Sequence, residues 1–178
     1  EIMPSLVGSE MCIRDRRFAD LRYHPRCPKG AKPLTVFLPA LLVGVRNDVG
    51  ITAIQRIFLD LERGGYLDKM LIGETGTGSW RGMPVTDTLA IAEGYEDASA
   101  FMQLHGVPCW AALGAKRLGL LSVPETVSCV ILAEDNGREG RKAGGIAFRA
   151  YRDQGLTVRR MPPPRRYLSL IHISEPTR

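Results

Sequence analysis

The sequence is poor in the residues that define several protein classes. It has only four cysteines in 178 residues, no CxxC pair among them, and an aromatic content of 7%. Cysteines this few and this far apart exclude a zinc ribbon and a disulfide scaffold. The longest apolar stretch, residues 38–45, contains Pro39 and Gly44 and is much too short to span a bilayer. Membrane-spanning, fibrous and disulfide-rich classes are therefore excluded.

What the chain does have is the composition of a globular protein with a basic excess. Hydrophobic residues make up 44% and charged residues 24%, with a formal net charge of +5. The length predicts one domain, or a domain with a small appendage. The basic balance permits a polyanionic partner without requiring one. Unpaired thiols and the lack of a signal peptide predict a cytoplasmic location.

The two ends of the chain resemble translated sequencing adapter. Residues 6–15 and 168–178 correspond to opposite strands of one transposon-based library adapter, and residues 1–5 fit the bases upstream of it. The alternative is a natural basic N-terminus and a short C-terminal strand. Two matching strings at the two extremes favour adapter, so residues 1–16 and 168–178 are set aside. Residues 165–178 thus contain the junction, at residues 165–167, and the probable adapter. We interpret residues 17–167 as an internal fragment of a longer natural protein.

The first half of the natural segment predicts mainly β structure. Residues 17–32 are basic, rich in proline and without clear periodicity, so we predict an irregular arm. Apolar stretches at residues 38–45 and 51–59 flank a turn sequence at residues 47–50, which predicts a β-hairpin. A further short strand is predicted at residues 66–72. Four glycines between residues 73 and 83 predict a loop.

From Asp87 onward the pattern changes to strands that alternate with helices. Short apolar stretches predict strands at residues 88–92, 107–112, 127–133 and 156–160. Between them, helices are predicted at residues 95–105, 116–121 and 138–154. Because parallel neighbours need such crossovers, this pattern predicts an α/β fold. Its parallel four-stranded sheet is flanked by helices and preceded by the small β-hairpin-containing segment.

Acidic residues follow two of the predicted strands. Glu93 comes directly after the first strand, and Glu134 and Asp135 follow the third. The carboxyl ends of parallel strands meet at one edge of the sheet, where such folds bind ligands. Carboxylate oxygens there suit Mg²⁺, with Mn²⁺ as an alternative, and one carboxylate can act as general acid or base. For Glu96 and Glu139, each in the first turn of a helix, we favour the simpler role of complementing the helix dipole.

Basic residues cluster on the helix that follows the second acidic group. Arg138, Arg141 and Lys142 lie within its first two turns. One interpretation is ordinary solvated charge on an exposed helix. The other is that these three side chains hold template or nucleotide phosphates beside the acidic edge.

Both acidic groups lie in stretches that resemble a known family. Residues 89–98, which contain Glu93 and Asp97, are similar to the first motif of Toprim domains, the catalytic module of bacterial primases and of type IA and II topoisomerases. Residues 130–143, which contain Asp135, are similar to the second, acidic motif. Other stretches resemble the corresponding parts of primase-like proteins of plasmids, phages and other mobile elements: residues 21–28, 38–42, 52–56 and 108–113.

The resemblance implies a domain organisation and a set of site residues. Residues 17–86 would be a β-rich primase-associated segment, and residues 87–164 a Rossmann-like Toprim domain that lacks its C-terminal part. Glu93 would be the acid–base glutamate and, with Asp97 and Asp135, would bind the metal. The second aspartate of the family's Asp-x-Asp motif falls at Gly137, which has no side chain to offer a cation. The acidic stretch that usually follows the fourth strand is also absent.

The function implied by the resemblance is Mg²⁺-dependent nucleotidyl transfer, the synthesis of an RNA primer on single-stranded DNA. Its partners would be the template strand, nucleotides and a replicative helicase. One alternative within the same chemistry is a nuclease or strand-breaking enzyme. A second alternative, suggested by Gly137, is a catalytically impaired module that binds DNA or a helicase.

Overall fold

The structure, a computed structural model, describes residues 16–25 and 34–169 and contains two β-sheets that follow one another along the chain. Residues 1–15 and 170–178, on which most of the adapter prediction falls, lie outside the described residues. So do residues 26–33 of the predicted arm.

The first sheet is antiparallel throughout. Its four strands, in spatial order, are β1 (Arg16–Tyr23), β2 (Val36–Arg46), β3 (Ile51–Leu59) and β4 (Tyr66–Gly73). The predicted hairpin is confirmed as β2 and β3, and the predicted strand at residues 66–72 is confirmed as β4. Between β2 and β3, the Asn47 side chain accepts hydrogen bonds from the backbone amides of Val49 and Gly50, which closes the turn.

Strand β1 shows that the prediction of an irregular arm is wrong for residues 17–23. Ala19, Leu21 and Tyr23 are half-buried, while the residues between them are exposed. This alternation is the two-residue period of a strand with one covered face. The basic residues and the prolines that follow obscured this pattern in the sequence.

The second sheet is parallel except at one edge. Its spatial order is β5 (Trp80–Arg81), β7 (Cys109–Ala111), β6 (Thr88–Ala92), β8 (Cys129–Ala133) and β9 (Thr157–Arg160). The four predicted parallel strands are confirmed as β6 to β9. Strand β5, which pairs antiparallel with β7, lies where only a loop was predicted. Two residues carry no periodicity, so pairing alone defines this strand.

Two α-helices flank the parallel sheet. Helix α1 (Tyr95–His105) has the predicted bounds and ends at Gly106, whose φ of +65° is the left-handed conformation of a helix C-cap. Helix α2 (Arg138–Asp153) confirms the predicted third helix. The helix predicted at residues 116–121 is wrong, because only a single 3₁₀ turn (Ala115–Arg117) forms. Gly119 then packs so closely against α2 that a Cβ there would lie 2.9 Å from Ala147 Cα.

The core consists of two clusters, one on each face of the parallel sheet. On one face, Ala90 and Ala92 pack with Phe101 of α1 and with Val43 and Ile57 of the antiparallel sheet. On the other face, alternate residues of β6 pack with α2 around the buried Tyr151. The antiparallel sheet thus covers one face of the parallel sheet, next to the edge where β6 and β8 end. No helix in the described part of the chain is long and apolar enough to cross a membrane.

Candidate active site

The carboxyl ends of β6 and β8 meet at one cleft. The two strands are parallel neighbours in register, with Ala92 beside Ala133, so the residues that follow them emerge at the same edge. Glu93, Asp97 and Asp135 line this cleft, which has a volume of about 620 Å³. The structure therefore brings together the three acidic residues that were predicted to bind the metal.

Glu93 is half-buried at the base of the cleft, and its environment disfavours the charged carboxylate. Burial raises the pKa of Glu93 above its ordinary value, and the nearby carboxylate of Asp97 raises it further. The backbone at Ala115 and the ammonium group of Lys69 act in the opposite direction but do not cancel this rise. The pKa of Glu93 is thus shifted toward neutral pH, where a carboxyl group is a more efficient proton-transfer catalyst.

The opposite wall of the cleft comes from the antiparallel sheet. Leu41, Ile57, Leu59 and Tyr66 make it largely apolar, and Lys69 is its cation. The Lys69 Nζ lies 2.6 Å from Glu96 Oε1 on helix α1 and 4.2 Å from the centre of the Tyr66 ring.

Sequence reasoning missed Lys69. The available signal was its alternation with Leu67 and Leu71, which places the lysine on the same face of β4 as two apolar residues. Pairing of β4 with β3 then sets it beside Ile57 and directs it to the cleft. The simple dipole role expected for Glu96 is extended by this ion pair, which joins helix α1 to strand β4 of the antiparallel sheet.

Glu134 faces the other side of the sheet from Asp135, as expected for adjacent residues at a strand end. Its buried carboxylate accepts hydrogen bonds from Arg160 Nε at 3.0 and 2.9 Å and is also paired with Arg160 Nη2. It lies under α2 at Gly144, where a Cβ would overlap the Glu134 carboxylate. Glu134 therefore joins β8 to β9 and does not line the cleft.

Gly137 occupies a position that other residues can adopt. Its φ of −61° and ψ of 160° are ordinary extended values, and it precedes the first residue of α2. A Cβ there would meet only Leu168 Cδ1, at 3.6 Å, which is normal van der Waals contact. The backbone therefore does not require glycine where the Toprim motif has its second aspartate.

The three basic residues of α2 are exposed but do not line the acidic cleft. Arg141 lies beside the loop after β8, where its Nη1 donates to the Asn136 carbonyl oxygen. Lys142 lines a separate groove with Lys116 and Glu139. The structure thus divides the predicted phosphate-binding set between two surfaces.

A second basic residue that sequence reasoning missed, Arg117, organises the glycine-rich loop. Arg117 Nη2 donates to the carbonyl oxygens of Gly76 at 3.1 Å and Gly78 at 2.7 Å. Its Nη1 donates to the carbonyl oxygen of Ala112, just after β7. Because one guanidinium joins these carbonyls, the loop between the two sheets is attached to the 3₁₀ turn.

The donor set at the cleft fits a hydrated hard cation. Within residues 16–25 and 34–169, no three His, Cys, Asp or Glu side chains lie close enough together to enclose a metal ion. Mg²⁺ does not need such a cage, because it is commonly bound through one or two carboxylates plus waters and substrate phosphates. Glu93 and Asp97 line the same cleft and supply such a carboxylate pair.

Family models cover both halves of the chain. Residues 88–167 match the model of the Toprim domain. Residues 11–82 match the model of a domain of unknown function, DUF7146. No match was found among curated proteins.

Solved primase structures share the fold. The primase fragment of the bacteriophage T7 primase-helicase protein is 17% identical, with a TM-score of 0.59, over 93% of this chain and 65% of that one. The Aquifex aeolicus primase (zinc-binding and RNA polymerase domains) is 15% identical, with a TM-score of 0.56, over 84% of this chain and 40% of that one. A DNA primase domain from Pseudomonas aeruginosa is 18% identical, with a TM-score of 0.52, over 82% of this chain and 50% of that one. This chain therefore spans less than two thirds of the length of each, and the likeness is one of fold.

The α/β topology confirms the fold class that the sequence predicted, and residues 88–167 match the Toprim family model. With its antiparallel sheet included, the chain is structurally similar to primase fragments from phage T7 and from bacteria.

Proposed function

We propose that this chain is part of a DNA primase that synthesises RNA primers on single-stranded DNA by Mg²⁺-dependent nucleotidyl transfer. The observation that carries the proposal is the cleft in which Glu93, Asp97 and Asp135 face the apolar wall of the antiparallel sheet. The fold shared with primase fragments supports this choice among the Toprim chemistries.

In the proposed reaction, a primer 3′-hydroxyl oxygen bonds to the α-phosphorus of an incoming nucleotide. The bond to pyrophosphate breaks, and the hydroxyl proton must be accepted. Glu93 is the proposed acceptor, because its raised pKa makes it a better base near neutral pH than an ordinary carboxylate. Lys69 lines the facing wall of the cleft, where it would contact the phosphates of a bound nucleotide.

Glu93, Asp97 and Asp135 would hold the divalent cation, Mg²⁺ or alternatively Mn²⁺. When bound, the cation neutralises phosphate charge at the reacting centre. Arg138, Arg141 and Lys142 are exposed near this edge and would bind further phosphates of template or nucleotide. The proposed setting is the cytoplasm, with a replicative helicase as partner and a mobile element as the source.

The role of Glu93 is tested with Glu93→Gln in the full-length parent protein. Primer synthesis should fall by about 10²–10⁴-fold, the usual contribution of general acid–base catalysis. Glu139→Gln is the matched control, because Glu139 is an exposed acid in the first turn of α2 outside the acidic cleft. Unchanged synthesis in Glu93→Gln would reject the proposed role.

Gly137 favours the second candidate function, a module that binds DNA or a helicase without catalysis. Titration with Mg²⁺ in a calorimeter separates the two. Heat of binding that disappears in Asp135→Ala supports a working metal site, and no heat in the unaltered chain supports the binding module. Gly137→Asp sharpens the result, because its backbone accepts a side chain and tighter Mg²⁺ binding is expected.

A further inference from the structure

The segment after β9 folds back onto the loop that follows β8. The Asn136 side-chain amide donates to the carbonyl oxygens of Pro163, Pro164 and Tyr167, at 2.8, 3.2 and 2.7 Å. Pro163 is buried at this contact. One residue of the acidic motif thus fixes the path of residues 163–167, which lie within the segment we interpret as natural.

A β-turn at the end of this segment presents two arginines. The Tyr167 amide donates to the Pro164 carbonyl oxygen at 2.8 Å, so Arg165 and Arg166 occupy the two central positions of the turn. Both arginines are exposed, and the Arg166 guanidinium lies 4.8 Å from the centre of the Tyr167 ring. The turn therefore holds two positive charges and an aromatic ring at one place.

Arg141 of α2 adds a third positive charge to the same surface. With Arg165 and Arg166 it lines a cavity of about 750 Å³, and none of the described residues that line this cavity is acidic. None of the three forms an ion pair with any residue in the parts of the chain that the structure describes. Three guanidinium groups without a carboxylate repel one another, so an anion that bridges them would be stabilised.

We propose that the arginine cluster, Arg141, Arg165 and Arg166, binds backbone phosphates of a single-stranded nucleic acid at the acidic cleft. Asp135 lines the cleft and the next residue, Asn136, lines the arginine cavity, so the two sites adjoin. The choice of nucleic acid rests on the proposed function. Tyr167 supplies a ring on which a base can stack, which a free phosphate would not use.

The test measures binding of a fluorescent oligothymidylate to the full 178-residue chain as salt is raised, with EDTA present. Each phosphate contact to a single strand contributes about 0.7 to the slope of log affinity against log salt. Arg165→Gln/Arg166→Gln should therefore lower that slope by about 1.4. The matched control is Arg152→Gln/Arg159→Gln, which removes the same charge from exposed positions outside the cavity and should keep the slope.

Asn136→Ala tests whether the fold of the turn matters as well as its charge. The slope should fall although no charge is removed, whereas thermal unfolding reports any general loss of structure. A wild-type slope in the Arg165/Arg166 variant overturns the proposal. So does an equal fall in the Arg152/Arg159 control, because the effect would then be net charge alone.

Failure of the cluster can be distinguished from failure of the proposed reaction. If the parent protein makes no primer but the Arg165→Gln/Arg166→Gln variant has a smaller salt slope, phosphate binding by the cluster is supported and the proposed reaction is wrong. If primers are made and the slope is unchanged, the reaction stands and the cluster is wrong.

Discussion

The antiparallel and parallel sheets meet at the same cleft but contribute to it differently. Glu93 and Asp135 follow the ends of neighbouring parallel strands, which brings them to one edge. Lys69 lies in the middle of β4, and only the pairing of β4 with β3 directs it to the cleft. A site built from strand ends can be foreseen in a sequence, whereas a residue placed by strand pairing depends on the assembled sheet.

The two sheets also differ in how completely they are covered. Both faces of the parallel sheet are buried, one against α1 and the antiparallel sheet and the other against α2. The antiparallel sheet leaves Phe18 and Phe37 exposed, at 72% and 67%. Substitutions under α2 should therefore destabilise the fold more than comparable changes at the exposed positions of the antiparallel sheet.

The largest effect is expected from Gly144→Ala. The new methyl group would overlap the buried Glu134 carboxylate and break its pair with the partly exposed Arg160. Breaking such a pair costs about 3–5 kcal/mol of unfolding free energy. Gly145→Ala is the control in the same helix, because no atom lies within 4 Å of its Cβ. It should stabilise by about 0.5–1 kcal/mol, measured by chemical denaturation.

Tyr151→Phe should have the next largest effect. The buried Tyr151 hydroxyl donates to the Leu118 carbonyl oxygen at 3.0 Å, and burial raises the pKa of this tyrosine. Removing the donor leaves a buried carbonyl without that bond, at a cost of about 1–3 kcal/mol. Tyr66→Phe in the antiparallel sheet is exposed and should change stability by less than about 0.5 kcal/mol. Equal losses of unfolding free energy in both variants would contradict the idea that the parallel sheet is more completely covered than the antiparallel sheet.

Ile57→Val and Ile91→Val compare the two sheets with one chemical change. Both isoleucines are buried, Ile57 in the antiparallel sheet and Ile91 in the parallel sheet. Each variant should lose about 0.5–1.5 kcal/mol. Because Ile57 packs in a cluster shared with β6 and α1, both should shift one common unfolding transition. A separate transition for the antiparallel sheet in calorimetry would show that the sheets unfold independently.

The smallest effect concerns pH. The pKa of Glu93 is raised in the folded chain, so its ionisation opposes folding as pH rises above the usual range of a glutamate. Glu93→Gln removes this penalty. The melting temperature of the variant should equal that of the unaltered chain near pH 4 and exceed it near pH 8. If the difference in melting temperature between the variant and the unaltered chain became smaller as pH rises, the pKa of Glu93 would not be raised in the folded chain.

Local sequence patterns accounted for the elements that carry their own signals. Helix α1 has helical spacing and a terminal glycine, and β6 and β8 are apolar stretches followed by acids. The acidic cleft followed from the topology of parallel strands. Strand β5, the missing helix at residues 116–121 and the cleft position of Lys69 all depend on contacts between distant residues. The separation of Arg141 and Lys142 onto two surfaces also depends on such contacts, because residues within the 162–168 segment, which follows β9, form a cavity with Arg141 but not with Lys142.

The ordinary backbone of Gly137 has a consequence for how this protein can evolve. Every glycine codon is one base away from a codon for aspartate or glutamate. Because the position tolerates a side chain, a single point mutation can add a second carboxylate beside Asp135 without rearranging the fold. The reverse mutation removes it as easily. Under the proposed function, such a mutation would change the metal affinity of this edge in one step.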